Sequence, residues 1–320
     1  MKSITKVITS LAAVAALAIP AGTAFAKAGG SDDTVPVTTT VTASVDAGKR
    51  MPDLGKDDIV VKRGKERLRV TGFVPAQGGR AGMDLFILID DASGPSLGSQ
   101  FGDLRQFINS QLASTSVAVG YMRNATVSIA QPPTRDHARA ANALRLPMGF
   151  PGAYGSPYLS VAELMRRWPA SGNRREVVMI TDGVDRSGRH WHRAWRGLQT
   201  NPDVETASAV AQRTGTVIHT IYMPGARHGR RNYWQAQSGQ MDMARLSSRT
   251  GGMSFFLGLQ APVSFAPYLN DLQRGLDNQY LLSFEAKPGR KPLLQTVSLD
   301  TEIAGVRLVT QDAVWVPGNR

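Results

Sequence analysis

The chain has 320 residues, 42% of them hydrophobic and 19% charged, with 32 glycines and 18 prolines; that is room for about two ordinary globular domains and excludes a lone small module or a disordered or fibrous chain. There is no cysteine, so disulfides, thiolate metal sites, iron–sulfur clusters and a cysteine nucleophile are excluded. The formal charge of +12 favours encounter with anionic polymers, membranes and nucleic acid alike, and names none of them.

Residues 1–26 begin with Lys2 and Lys6, run through an apolar stretch from Leu11 to Ile19, and end in Ala24-Phe25-Ala26. This reads as a secretory signal peptide, too short to cross a bilayer. The chain is therefore expected to be exported, to the periplasm or the medium, with Lys27 as its first mature residue and no transmembrane segment. Losing Lys2 and Lys6 lowers the charge from +12 to +10, so the protein stays basic.

From Val35 to Val45, valines and Ala43 alternate with Thr38, Thr40, Thr42 and Ser44, the period of a half-buried strand. Ile59-Val60-Val61 and the alternating Leu68 and Val70 predict further short strands between turns, so residues 27–80 read as a linker and β strands. Apolar runs then alternate with helix-period segments. The runs are Leu85–Ile89, Val117–Met122, Val177–Ile180, Val217–Met223 and Ser254–Leu257, with a weaker one at Ala125–Ala130. The helical segments are Asp103–Leu112, Thr134–Leu144, Tyr158–Trp168, Val204–Thr214, Met241–Thr250 and Val263–Leu276. This alternation predicts an α/β domain over residues 81–278, a Rossmann-like, doubly wound, mostly parallel sheet covered by helices. Residues 279–320 return to β patterning and are expected to pair with the N-terminal strands in a small flanking β module.

Ligands of open parallel sheets collect at the carboxyl ends of the strands. Two such ends are acidic: Asp90-Asp91-Ala92-Ser93-Gly94-Pro95-Ser96 and Thr181-Asp182-Gly183. Gly155-Ser156-Pro157-Tyr158 lies between them in sequence. Carboxylates and hydroxyls from three loops form the hard oxygen set that Mg²⁺ prefers.

These residues resemble the metal-ion-dependent adhesion site of a von Willebrand factor A domain, whose first loop is Asp-x-Ser-x-Ser, whose second supplies Thr and whose third is commonly Thr-Asp-Gly. The resemblance places Asp91 and Ser93 in the first loop, Ser156 at the Thr position and Asp182 in the third loop. Asp90 takes the place of Asp91 if the strand register slips by one. Pro95 falls at the third first-loop position and offers no side-chain oxygen. The stretches Leu54–Val61, Leu68–Phe73, Ala118–Asp136, Ala244–Gly252 and Leu276–Leu282 follow the order of the VWFA-related family of acidobacterial type, so the likeness covers about residues 40 to 316. It implies non-enzymatic binding of a protein or acidic envelope ligand, completed by Mg²⁺ on Asp91, Ser93, Ser156 and Asp182, with Tyr158 on the rim.

Two other readings use the same chain. Eight arginines crowd the stretch from Arg166 to Arg196, and Arg227, His228, Arg230 and Arg231 form a second cluster; Arg-rich loops from Arg186 to Arg196 and Arg227 to Arg231 would bind an anionic ligand without metal, and no specific nucleic acid is expected. Gly94-Pro95-Ser96-Leu97-Gly98 formally fits the Gly-x-Ser-x-Gly of serine hydrolases, with Asp182 and His219 as partners. Against it, Pro95 precedes the nucleophile and His219 lies inside a strand run. His190 and His192 stand among arginines that would repel a cation.

Overall fold

The computed structural model describes residues 34–46, 48–149, 155–169, 171–187, 201–226 and 233–319. Residues 1–26, read from sequence as a signal peptide, His190, His192, and most of both Arg-rich loops lie outside them. The N-terminal strands are β1 (Val35–Val45), β2 (Ile59–Arg63), β3 (Glu66–Leu68) and β4 (Val70–Pro75). Then come β5 (Met83–Asp90), α1 (Phe101–Asn109), β6 (Thr115–Arg123), β7 (Thr126–Thr134), α2 (His137–Asn142) and α3 (Pro157–Arg167). They are followed by β8 (Arg174–Thr181), α4 (Pro202–Thr214), β9 (Thr216–Tyr222), α5 (Tyr233–Thr250), β10 (Ser254–Phe255) and α6 (Ala266–Asp277). The chain returns through β11 (Gln279–Ala286), β12 (Leu293–Thr296), β13 (Ser298–Thr301), β14 (Val306–Val309) and β15 (Ala313–Val316).

The central sheet has the order β10-β9-β8-β5-β6-β7 and is parallel except for β7, which returns antiparallel to β6. Pro132 and Pro133, which lack N–H groups, suit β7 to the sheet edge. All eight residues of β5 are buried because helices cover both faces. Leu85, Ile87 and Ile89 pack with Leu104 and Phe107 of α1 and Leu269 and Leu272 of α6. Phe86 and Leu88 pack with Val161 and Met165 of α3 and Val204 and Ala207 of α4. By strand alternation Asp90 belongs to the second face.

Helix limits differ from the sequence pattern at several ends. Helix α1 stops at Asn109, leaving Leu112 56% exposed instead of on its buried face. The segment expected from Thr134 splits, with Thr134 ending β7 and Asp136 capping α2 through Arg139 N–H (2.9 Å).

N- and C-terminal strands do pair. A four-stranded sheet runs β14-β1-β11-β4, with Val35 opposite Ala286 and Thr42 opposite Gln279. Its core includes Val41, Phe73, Leu282, Phe284 and Val316. The Gln279 side chain ties it to the central sheet by donating to Glu176 Oε1 (2.9 Å) and accepting from Arg174.

Candidate functional site

The last residue of β5, Asp90, is buried and aims its carboxylate across the sheet end. Oδ1 accepts from Ala92 N–H (2.9 Å), and Oδ2 accepts from the Thr181 hydroxyl at the end of β8 (2.7 Å). Burial, reinforced by the negative charge of Asp182, pushes Asp90 up to about 6, although the Arg186 guanidinium opposes the shift.

Asp182 opens the next loop. Its Oδ1 accepts from Val184 N–H (3.0 Å) and from Arg186 Nη1 (3.1 Å), and its Oδ2 accepts from Arg186 Nη2. The guanidinium thus makes a two-point fork on Asp182, and Nη1 also stands 3.9 Å from Asp90 Oδ2. Nη1 donates further to the Val184 carbonyl (3.2 Å), and Arg186 N–H donates to the Gly155 carbonyl (3.0 Å). The same arginine therefore links the end of β5, the loop after β8 and the turn before α3. Beside it, a cavity of about 10 Å³ is lined by Asp90, Asn124, Ser156, Ser160 and Arg186 among others, space for about one water molecule.

Ser156 is buried as the N-cap of α3, its hydroxyl accepting from Leu159 N–H (3.4 Å). Gly155 before it has φ +112°, and a β-carbon there would lie 2.6 Å from Ala125 N. Glycine therefore lets the β6–β7 turn pack against this loop.

Asp91 faces a different partner set. Arg145 Nη1 approaches Oδ1 at 2.8 Å, Arg145 Nη2 donates to Oδ2 at 3.3 Å, Arg123 Nη1 stands 3.5 Å from Oδ2, and Met148 N–H donates to Oδ1 at 2.9 Å. Burial alone would raise this carboxyl, but Arg145, Met148 N–H and Arg123 hold it below the ordinary carboxylate value. The Arg145 guanidinium lies 3.7 Å from the Tyr121 ring centroid, while Tyr121 Oη accepts from Arg145 N–H (2.6 Å) and donates to its carbonyl (2.8 Å).

The four residues expected to share a metal are thus not brought together: Asp91 belongs to the Arg145 cluster, and Asp90 takes its place beside Ser156, Asp182 and Arg186. The register that differs by one residue is the observed one. Counted from Asp90, the first loop reads Asp90-x-Ala92-x-Gly94, with a methyl and a hydrogen at the positions where the family pattern carries hydroxyls. Ser93 is buried, its Oγ has no partner among the described residues, and its backbone bridges Gly225. Pro95 and Ser96 are exposed and open a 3₁₀ turn.

A divalent cation does not fit this donor set. It would require carboxylates and hydroxyl oxygens to share one ion, whereas Asp182 is forked by Arg186, Asp91 is held by Arg145, Ser156 caps a helix, and the first loop supplies neither family hydroxyl. Among the described residues no group of three or more acids or histidines is arranged to hold a metal.

Two further expectations are corrected or resolved by packing. Tyr158 is buried, not on a rim, and its hydroxyl donates to the Gly183 carbonyl (2.9 Å). His219 is also buried: Nδ1 accepts from Met253 N–H (3.0 Å), which leaves Nε2–H to donate to Glu176 Oε2 (2.9 Å). Both ring nitrogens are engaged inside the core.

Sequence reasoning missed Arg123, Arg145 and Gly225 at this site, and counted Arg186 only as the first member of a basic loop. A β-carbon at Gly225 would lie 2.5 Å from Asp182 Oδ2 and 2.6 Å from Arg186 Nη2. The space for the ion pair is therefore a missing side chain.

The strand order, covering helices and acidic strand-end loops give the central domain a von Willebrand factor A-type fold. The sequence matches no protein-family model and no curated protein. Solved structures to which the chain is similar include an aerotolerance-related membrane protein from Bacteroides fragilis, at 13% identity over 61% of this chain and 99% of that one, TM-score 0.42. BatB from Bacteroides thetaiotaomicron is similar at 15% identity over 60% of this chain and 97% of that one, TM-score 0.41. A von Willebrand factor type A protein from Catenulispora acidiphila is similar at 11% identity over 91% of this chain and 76% of that one, TM-score 0.41.

Proposed function

We infer that the chain is an exported, non-enzymatic binding protein that recognises an acidic protein or envelope ligand with the face at the carboxyl ends of its central strands. Arginine side chains supply the attraction, and no divalent ion is needed.

The observation that carries this reading is the sorting of charge by depth. The carboxylates of Asp90, Asp91 and Asp182 are all nearly inaccessible, whereas the side chains of Arg123 and Arg145 are 33% and 35% exposed. A ligand meets guanidinium edges while the buried acids hold them in place. Arg145, held by its fork on Asp91 and its stacking on Tyr121, loses less side-chain freedom when its outward edge meets a carboxylate. The sequence next to this face, Arg186–Arg196 and Arg227–Arg231, is itself rich in arginine.

The test is binding of the purified protein to poly-L-glutamate, comparing wild type with Arg123→Ala, Arg145→Ala and the double variant. The reading expects weaker binding in each single variant and the weakest in the double. Equal binding by all four proteins would contradict it. Export is tested separately, by determining the N-terminal residue of the protein recovered outside the cytoplasm; Lys27 is the expected start.

A further inference from the structure

We propose that Arg186 is the resident cation of this A-type domain: its guanidinium occupies the charge-neutralising role between Asp90 and Asp182 that a bound divalent ion has in the adhesion-site pattern, and makes the domain independent of metal. The proposal stands whether or not the face binds acidic ligands.

Four features of the site bear on it. First, the carboxylates that open the first and third loops face one another across the sheet end, and a single side chain answers both: Arg186 forks Asp182 through Nη1 and Nη2 and places Nη1 3.9 Å from Asp90 Oδ2. Two buried acids with no cation would repel each other in a region poor in water unless one took up a proton, so a counter-charge stabilises the pair when both are ionised. Second, the first loop supplies Ala92 and Gly94 where a metal needs hydroxyl oxygens, and an arginine needs none. Third, Gly225 leaves open the volume that the guanidinium fills, since a β-carbon there would lie 2.6 Å from Nη2. Fourth, with Arg186 in place the cavity beside it is about 10 Å³, room for about one water molecule.

The replacement changes the chemistry of the face. A metal held by such loops keeps an open coordination position that a partner's carboxylate can fill. Arg186 has Nη1 on Asp182 and Val184 and Nη2 on Asp182, and its side chain is 18% exposed against 35% for Arg145. It fixes the three loops to one another, while acid recognition falls to the more exposed Arg123 and Arg145.

The test is thermal melting of the protein with Mn²⁺, with chelator, and with methylguanidinium, in wild type, Arg186→Ala, Arg186→Lys and Arg186→Ala/Asp182→Asn. Wild type is expected to melt at the same temperature with Mn²⁺ and with chelator. Arg186→Ala is expected to melt lower and to recover in part with methylguanidinium, and the double variant is expected to show no such recovery. Arg186→Lys, which keeps the charge but loses the fork, should fall between. A wild-type melting temperature that rises with Mn²⁺ would overturn the proposal, as would an Arg186→Ala variant as stable as wild type. A destabilised Arg186→Ala that methylguanidinium does not restore would make Arg186 a packing residue and also overturn it. If Arg186→Ala does not fold, the wild-type arm and Arg186→Lys still decide the matter.

Discussion

Gly225 faces Arg186 so closely that any side chain would displace the ion pair: a β-carbon there would lie 2.6 Å from Nη2, and 2.5 Å from the Asp182 oxygen that Nη2 binds. Gly225→Ala should therefore push the fork apart. Overpacking of this kind typically costs about 1 to 3 kcal/mol. Urea denaturation should show that loss in wild type and a smaller one in an Arg186→Ala background, because the guanidinium that the methyl strikes has gone. Equal losses in the two backgrounds would mean that the methyl acts elsewhere.

Asp90 gives the protein a definite pH signature. Its folded value is raised to about 6 from 3.8, chiefly by burial. Between those values the folded state holds a proton that the unfolded chain has released. The contribution is therefore fully present below about pH 4 and is lost as pH rises through about 6. A shift of this size corresponds to something on the order of 3 kcal/mol. Asp242 is raised to about 6 as well, mainly by burial, so the informative quantity is a difference. Stability of Asp90→Asn measured from pH 4 to 7 should fall less steeply than that of wild type; identical slopes would show that Asp90 does not titrate in this window.

Asp91 is an anchor for arginines. Replacing it with alanine leaves Arg145 and Arg123 without their acid, and both guanidiniums are about one-third exposed, so water screens part of the loss. The expected cost is about 1 to 2 kcal/mol, below the range for a fully buried pair. It should shrink in high salt and be unaffected by Mg²⁺. A cost that appears only when Mg²⁺ is present would return Asp91 to the role of a metal ligand.

Tyr158→Phe separates core from rim. The hydroxyl donates to the Gly183 carbonyl at 2.9 Å and also reaches the Gly239 carbonyl at 3.5 Å. Its removal should cost about 1 kcal/mol in chemical denaturation and leave binding to an acidic probe unchanged. Weakened binding at unchanged stability would place the hydroxyl on the ligand face.

Much of the architecture is legible in the sequence because burial patterns report it directly. The alternation through Val37 and Val41 marks a strand with one wet face, and runs such as Val177–Ile180 mark strands covered on both sides. The same double burial hides the register of the site. With all of Met83–Asp90 buried, hydropathy does not say whether Asp90 or Asp91 turns toward Asp182; the packing of Phe86 and Leu88 against α3 and α4 does. Arg186 forks Asp182 four residues earlier, but its contact with Asp90, far away in the chain, and the space left by Gly225 leave no local pattern. Tyr158 sits in the first turn of a helix, where sequence suggests exposure, and is buried because Gly239 and Gly183 let two backbones meet above it; a β-carbon on Gly239 would lie 2.2 Å from the Asp182 carbonyl oxygen.

The most direct test of metal-free recognition by arginine is one titration of poly-L-glutamate binding, run against chelator at fixed salt and against salt at fixed chelator. Exposed charges are screened over about 8 to 10 Å at ordinary ionic strength. Binding that persists in chelator and fades with rising salt is the expected result; binding that chelator abolishes and Mg²⁺ restores would contradict the account.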